Sequence, residues 1–268
     1  MNGYEEKARR QIDEVLEVSK RVIGQSMKAA YLFGSAAAGG LKKDSDIDIL
    51  IMCKRELKAY EKRQLIEAYM KISGEIGNPE NKRYMEITIV DESDISLWQY
   101  PPRQELLYGE WLRQDFEAGE VPVKEENPDL VIVLKQLLDN HYILYGDNPE
   151  VFIPEIPDTD VKKAIGDTLP ELMENYAGDE RNTLLTLCRM IVTLKTGEII
   201  PKHHAAERVQ NSLPENHQEL LQCAISGYLG EYGDRGSYKG KDMKSLVDYL
   251  GSALGKLLIE GNQLQNGD

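Results

Sequence analysis

The sequence predicts a mixed α+β fold, in which an N-terminal domain with a mixed sheet precedes an all-α helical bundle domain. Three observations predict it. Helix and strand patterns alternate over the first hundred residues. The proline-bearing stretch DNPEVFIPEIPD, residues 147–158, is typical of a linker. From about residue 159 onward the apolar spacing is helical throughout. We therefore expect two domains, 1–157 and 158–268.

The spacing of apolar residues assigns the elements in order. The predicted strands are KAAYLFG (28–34), DIDILIM (46–52) and RYMEITIV (83–90). Helices are predicted at 4–23, 56–76, 103–119 and 128–145, with one or two helical turns in SAAAGG between the first two strands. In the second half they are predicted near 159–175, 180–195, 203–211, 215–228 and 241–259.

Composition restricts the class of protein. The chain has 268 residues, 41% of them hydrophobic, and a net charge of −14 that repels polyanions, so we expect no nucleic-acid partner. It has neither an apolar leader nor an apolar run of about 20 residues, so we expect no membrane partner. Cys53, Cys188 and Cys223 are far apart in apolar surroundings, which predicts reduced thiols and a cytoplasmic location.

Two aspartates interrupt an apolar strand. Residues two apart on a strand share a face, so Asp46 and Asp48 project together while Ile47 points into the core. Adjacent carboxylates repel each other unless a cation lies between them, and hard oxygen ligands suit Mg²⁺. A D-x-D pair alone is weak, because acids on a solvated edge strand give the same pattern.

The surrounding sequence strengthens the metal interpretation. Gly34-Ser35 follows an apolar strand, where a glycine lets the backbone approach a ligand and N–H groups with a hydroxyl can hold phosphate. Glu86 lies in a later strand, on the face shared by Tyr84 and Thr88. The alternative for Glu86 is an exposed strand position without a function. Gly34-Ser35, the D-x-D pair and Glu86 together resemble the pattern of the DNA polymerase β-like nucleotidyltransferases.

The chain resembles the aminoglycoside adenylyltransferases over nearly its whole length, most closely the spectinomycin 9-adenylyltransferase branch. Residues 31–51 carry the resemblance together with YMEITIV, PPRQELLYGEWLRQD, GDERNTLLTLCRMI and TGEIIPK, in the same order. The resemblance implies an N-terminal nucleotidyltransferase domain and a C-terminal helical domain, with both substrates bound between them. It also implies transfer of AMP from MgATP to a drug hydroxyl with release of pyrophosphate, which confers antibiotic resistance.

The resemblance also implies roles for individual residues. Asp46 and Asp48 match magnesium ligands, and Glu86 matches the catalytic base and completes the metal set, for two Mg²⁺ ions. The residues matched to ATP binding are Gly34, Ser35, Ser45, Asp129, Lys202 and Tyr228. Trp111 and Asp179 match residues that bind the cationic drug, by cation–π contact and ion pairing.

Four of the residues matched to substrate binding have structural alternatives. Asp129 also suits the N-cap of the helix after it, and Tyr228 also suits a core ring. Trp111 also suits a buried position on a helix. Asp179 also suits an acid that stabilises a helix N-terminus.

Specificity follows from a departure from the family pattern. Members that also modify streptomycin carry an additional tryptophan and aspartate just before the GDERN motif, and TLPELMENYAGDERN has neither. We therefore expect an adenylyltransferase for spectinomycin. We also expect a monomer. The alternatives are an enzyme that also accepts streptomycin, one that modifies a protein hydroxyl, and a nucleotide-binding regulatory protein without turnover. The histidines lack metal-site spacing, and no Walker A motif is present.

Overall fold

A computed structural model describes residues 3–38, 40–41, 45–75, 82–231 and 243–265. The ends of the helices predicted at 56–76 and 241–259 lie partly outside these ranges. The chain divides into two compact units, Met1–Ile156 and Pro157–Asp268. The first contains every strand of the described residues, and the second is helical. The predicted α+β fold class is confirmed.

The first unit alternates helices and strands as predicted at its start. Its helices are α1 (Gly3–Ile23), α2 (Gly34–Ala37), α3 (Ala59–Ile72), α4 (Glu92–Ser96), α5 (Arg113–Glu117) and α6 (Asp129–Asp139). Its strands are β1 (Met27–Leu32), β2 (Ile47–Cys53), β3 (Met85–Asp91), β4 (Arg103–Gln104), β5 (Leu106–Tyr108), β6 (Glu125–Glu126) and β7 (Tyr142–Tyr145). Short 3₁₀ turns occupy Gly24–Ser26, Glu110–Leu112 and Pro149–Val151.

A five-stranded mixed sheet organises this unit, with strand order β5-β3-β2-β1-β7. The central strand β2 runs parallel to β3 and antiparallel to β1. The remaining pairs, β3 with β5 and β1 with β7, are antiparallel, and β4 and β6 form a separate two-stranded ribbon. The parallel pair is therefore the one that brings the predicted carboxylates onto adjacent strands.

One face of the sheet is buried beneath helices α1 and α3. Ile47, Ile49 and Ile51 are fully buried on β2 and belong to the same apolar cluster as Val15 of α1 and Leu65 of α3. Alternate residues of a strand point to opposite faces, so Asp48 projects away from this cluster. Burial of the isoleucines thus fixes the register that leaves the aspartate on the other face.

The helix predicted at 103–119 is wrong over its first half. Leu106–Tyr108 form β5 instead, with Tyr108 opposite Ile87 and Leu106 opposite Ile89 of β3. The chain becomes helical only after Gly109, first in a 3₁₀ turn and then in α5. The apolar run LLY fits a helix and a strand equally well, and pairing with the open edge of β3 decides in favour of the strand.

The helix predicted at 128–145 is too long. Helix α6 ends at Asp139, and Asn140 has an extended backbone with φ of −148°. The next residues, Tyr142–Tyr145, form β7 at the edge of the sheet, with Tyr142 opposite Leu32 and Ile143 opposite Tyr31 of β1. Apolar spacing alone did not separate these two elements, because YILY continues the apolar character of the helix.

The second unit consists of helices in its described residues. They are α7 (Asp158–Glu174), α8 (Glu180–Thr196), α9 (Lys202–Gln210), α10 (Glu215–Leu229) and α11 (Met243–Gln265). Helix α8 ends as predicted before Gly197, which has a left-handed φ of +77°. Helix α8 packs against α9, α10 and α11, so it is the centre of the unit. No helix in the described ranges is long and apolar enough to cross a membrane.

Candidate active site

A tight turn after β1 brings the backbone against Asp48. Gly34 has φ of +63°, and a Cβ added to it would lie 2.0 Å from Asp48 Oδ2. The Phe33 amide donates a hydrogen bond of 3.1 Å to the Asp48 carbonyl. Glycine is needed here for two reasons, because its φ is left-handed and because the Asp48 carboxylate occupies the space of a side chain. The short helix α2, with Ser35, starts directly at this turn.

Asp48 and Glu86 are paired in the parallel register of β2 and β3. Residues that are paired this way point to the same face from strands about 4.8 Å apart. Both are partly exposed, and every other residue of the two strands is buried. Asp46 lies just before the first residue of β2, two positions from Asp48. The structure therefore places Asp48 and Glu86 side by side, with Asp46 beside them in sequence.

A buried arginine holds the segment that leads into Asp46. Arg83 donates a hydrogen bond of 2.8 Å from Nη1 to the carbonyl of Ser45, and both residues are buried. The Arg83 backbone is held in turn by the Gln11 side chain, which accepts from its amide at 3.0 Å and donates to its carbonyl at 3.0 Å. Sequence analysis missed both residues, since neither a glutamine on the amphipathic helix α1 nor an arginine just before β3 gives a sequence signal of a distant backbone partner.

In the second unit, hydrogen bonds connect two of the predicted site residues. Lys202, the first residue of α9, donates from Nζ to Asn182 Oδ1 at 2.5 Å. Asn182 donates from Nδ2 to Asp179 Oδ2 at 2.9 Å. Asp179 occupies the N-cap of α8 but makes no side-chain capping bond. Sequence analysis missed Asn182, although its position three residues after Asp179 on a helix is a usable signal.

Tyr228 and Asp129 are both accessible. Tyr228 is partly exposed on α10, and its ring stacks on His203 with centroids 5.6 Å apart. Asp129 is the exposed first residue of α6, and its amide donates to Asn127 Oδ1 at 2.9 Å. The side chain that receives a helical N–H at this end is therefore that of Asn127, and the alternative of Asp129 as N-cap is wrong.

Trp111 is exposed over 57% of its surface and lies in the 3₁₀ turn Glu110–Leu112. The alternative of a tryptophan buried on a helix is therefore wrong. The residue before it, Glu110, is buried and accepts hydrogen bonds from Ser73 Oγ at 2.7 Å and Tyr108 hydroxyl at 3.0 Å. An exposed indole on a fixed turn is suited to contact a ligand.

Comparison with known proteins decides the family. The family described as polymerase beta, nucleotidyltransferase matches residues 11–100, and the one described as aminoglycoside adenylyltransferase, C-terminal domain, matches residues 150–253. A spectinomycin 9-adenylyltransferase of Staphylococcus aureus is 42% identical over 241 residues, which cover 90% of this chain and 93% of the relative. This chain belongs to the aminoglycoside adenylyltransferase family.

Two further members of the family are similar over nearly their full lengths. A spectinomycin 9-adenylyltransferase of Campylobacter jejuni is 42% identical over 248 residues, covering 92% of this chain and 96% of the relative. The crystal structure of spectinomycin adenyltransferase AAD(9) from Enterococcus faecalis with ATP and spectinomycin aligns with a TM-score of 0.89. It is 38% identical and covers 92% of this chain and 99% of that chain. The predicted family and enzyme class are confirmed.

The donor set of this adenylyltransferase fits magnesium that is shared with a substrate. In the described ranges, no three His, Cys, Asp or Glu side chains form a group that could hold a metal ion by themselves. Mg²⁺ does not require such a cage, since it is commonly held by one or two carboxylates plus substrate phosphates and water. The paired Asp48 and Glu86, with Asp46 adjacent, meet that requirement. The three-carboxylate set with Glu86 as a ligand stays a prediction.

Proposed function

We propose that this chain transfers AMP from MgATP to a hydroxyl of spectinomycin and releases pyrophosphate. The drug oxygen forms a bond to the α-phosphorus, the bond from that phosphorus to the β-phosphate oxygen breaks, and the hydroxyl proton leaves to a base. The observation that carries the proposal is the pairing of Glu86 with Asp48 on adjacent parallel strands. Full-length similarity to relatives named spectinomycin 9-adenylyltransferase supports the choice of acceptor.

The first unit supplies the chemistry in this proposal. Asp46 and Asp48 would hold magnesium, which when bound would offset the negative charge that develops on the phosphates. Glu86 accepts the proton of the attacking hydroxyl as general base. Gly34 and Ser35 donate hydrogen bonds to phosphate oxygens at the turn before α2.

The remaining predicted residues bind the two substrates. We assign ATP contacts to Ser45, Asp129, Lys202 and Tyr228, where the lysine offsets the charge of the leaving pyrophosphate. Trp111 and Asp179 bind the cationic drug through an indole face and a carboxylate. Two Mg²⁺ ions, a monomeric enzyme, a cytoplasmic location and the absence of a nucleic-acid partner complete the proposal.

The test is pyrophosphate release by the purified protein with MgATP and a single acceptor. We expect release with spectinomycin and none with streptomycin, because the segment before Asp179 lacks the second tryptophan and aspartate. Release with both drugs would contradict the specificity. Release with neither would overturn the proposed function.

The Glu86→Gln variant tests the base. Turnover should fall at least about a thousandfold, while ATP binding measured by calorimetry stays within about threefold, because the amide keeps the shape but cannot take a proton. Glu126→Gln is the control, since Glu126 is an exposed carboxylate on β6 outside the proposed site. An active Glu86→Gln enzyme would remove Glu86 from the base role.

A further inference from the structure

The indole of Trp111 lies directly on Gly109. A Cβ added to Gly109 would be 2.4 Å from Cη2, 2.5 Å from Cζ2 and 2.6 Å from Cζ3 of the indole, closer than any real contact. The Gly109 backbone itself has φ of −143° and ψ of 150°, an extended conformation that every residue adopts. A glycine is therefore needed at this position because the indole occupies the space of a side chain, and not because of the backbone conformation.

The turn that carries the indole is fixed from the interior. The Glu110 carboxylate accepts from Ser73 and Tyr108, and Arg113 binds both of its oxygens. Arg113 also donates from Nη2 to the carbonyl of Met70 at 2.8 Å. The backbone is closed by a 3.0 Å hydrogen bond from the Leu112 amide to the Gly109 carbonyl. The residues on both sides of Trp111 thus have little freedom.

A fixed aromatic side chain loses little conformational entropy when it binds a ligand. One side of the Trp111 benzene ring fills the space that a side chain at Gly109 would take, while more than half of the residue is open to solvent. Without that support the indole is free to adopt several rotamers, and binding then has the cost of selecting one of them.

We infer that Gly109 is a positioning residue that orients Trp111 towards the drug. The hydrogen bonds of the buried Glu110 carboxylate hold the turn that carries both residues. The inference rests on the proposed function, since it takes the aminocyclitol as the ligand of Trp111. Gly109 acts through the indole and has no contact with the nucleotide in this assignment. Its loss should therefore weaken recognition of the drug while ATP recognition and the chemical step are kept.

The test is Gly109→Ala, which adds one methyl group and displaces the indole. We expect KM for spectinomycin to rise about tenfold, the size of a lost cation–π contact, with kcat and KM for ATP within about twofold. Trp111→Ala should give a similar rise, and the double variant no more than Trp111→Ala alone, because both changes remove the same interaction. Gly166→Ala is the control, since its added Cβ would lie 3.8 Å from Leu258, an ordinary contact.

A second measurement does not depend on activity. In a Trp98→Phe background Trp111 is the single tryptophan, since the chain has two. We expect acrylamide to quench its fluorescence more strongly in Gly109→Ala than in the parent. Two results would overturn the inference and leave the proposed function intact. One is unchanged quenching in Gly109→Ala. The other is a KM for spectinomycin that is unchanged in Gly109→Ala but raised in Trp111→Ala. Absence of turnover in the wild type would instead overturn the proposed function, and quenching would still decide whether Gly109 holds the indole.

Discussion

At the scale of single residues, Gly34 meets two separate requirements for glycine. Its left-handed φ and the Asp48 carboxylate in the place of a side chain act together. We predict that Gly34→Ala lowers turnover at least about a hundredfold, because a 2.0 Å contact must move either the turn or Asp48. The free energy of unfolding should fall by about 1–3 kcal/mol from backbone strain and the collision.

Gly24→Ala separates the two causes. Gly24 has φ of +61°, nearly the value of Gly34, but an added Cβ would meet nothing within 4 Å. We expect Gly24→Ala to lose about 1 kcal/mol of stability and to keep wild-type turnover. Equal losses of turnover in the two variants, measured by pyrophosphate release, would show that backbone strain and not the Asp48 contact matters.

The thiols provide a second test at this scale. Cys53 and Cys188 are fully buried, and burial raises the pKa of each to about 12. The thiolate is the reactive form, so both should be inert in the folded protein at pH 8. We predict that a disulfide reagent modifies at most one thiol per chain, the partly exposed Cys223, and all three in denaturant. Rapid modification of two or more thiols in the native protein would contradict the packing around β2 and α8.

At the scale of elements, the start of α3 depends on one buried carboxylate. Glu61 accepts from Arg55 Nη2 at 2.7 Å and Nη1 at 2.9 Å, and from the Lys58 amide at 2.8 Å. The Arg55 hydrogen bonds hold the pKa of Glu61 below its ordinary value. The stabilisation is therefore present above the unfolded pKa of about 4.3 and is lost as pH falls through the lower folded value.

We predict that Glu61→Gln lowers the free energy of unfolding by about 1–2 kcal/mol at pH 7, since Arg55 is partly exposed and its charge is screened. Urea unfolding at several pH values measures the difference, which should shrink below about pH 4. Glu6→Gln is the control, because the Glu6–Arg10 pair is exposed on both sides and should contribute little. A difference that does not depend on pH would contradict the role of the Glu61 charge.

The length of an element decides whether apolar spacing alone predicts it as a helix or a strand. Strands β1 to β3 and the helices in the described residues of the second unit were predictable, because their apolar spacing extends over enough residues to fix the period. Strands β5 and β7 were missed, since each is four residues or fewer and its identity depends on pairing with β3 or β1, far away in sequence. The D-x-D spacing predicted the shared face of Asp46 and Asp48, but the parallel register that pairs Asp48 with Glu86 required the structure.

At the scale of the whole molecule, each unit has its own apolar core. In the first, the isoleucines of β2 pack with α1 and α3. In the second, Leu184, Leu187 and Cys188 of α8 are fully buried, as are Leu250 and Leu254 of α11. A unit that encloses its own core can fold without the other. Separate cores are compatible with separate roles for the two units, of which the first carries the proposed magnesium ligands and base.

We predict that the fragments 1–156 and 157–268 each unfold cooperatively on heating, the first with strand and helix signals in circular dichroism and the second with helix signals alone. Neither fragment should release pyrophosphate with MgATP and spectinomycin above about a thousandth of the wild-type rate. The reason is that each fragment has only part of the proposed substrate ligands: Trp111 and Asp129 belong to fragment 1–156, and Asp179 and Lys202 belong to fragment 157–268. Turnover by fragment 1–156 alone would remove Lys202 and Asp179 from the reaction. A non-cooperative transition in either fragment would show that its core is completed by the rest of the chain.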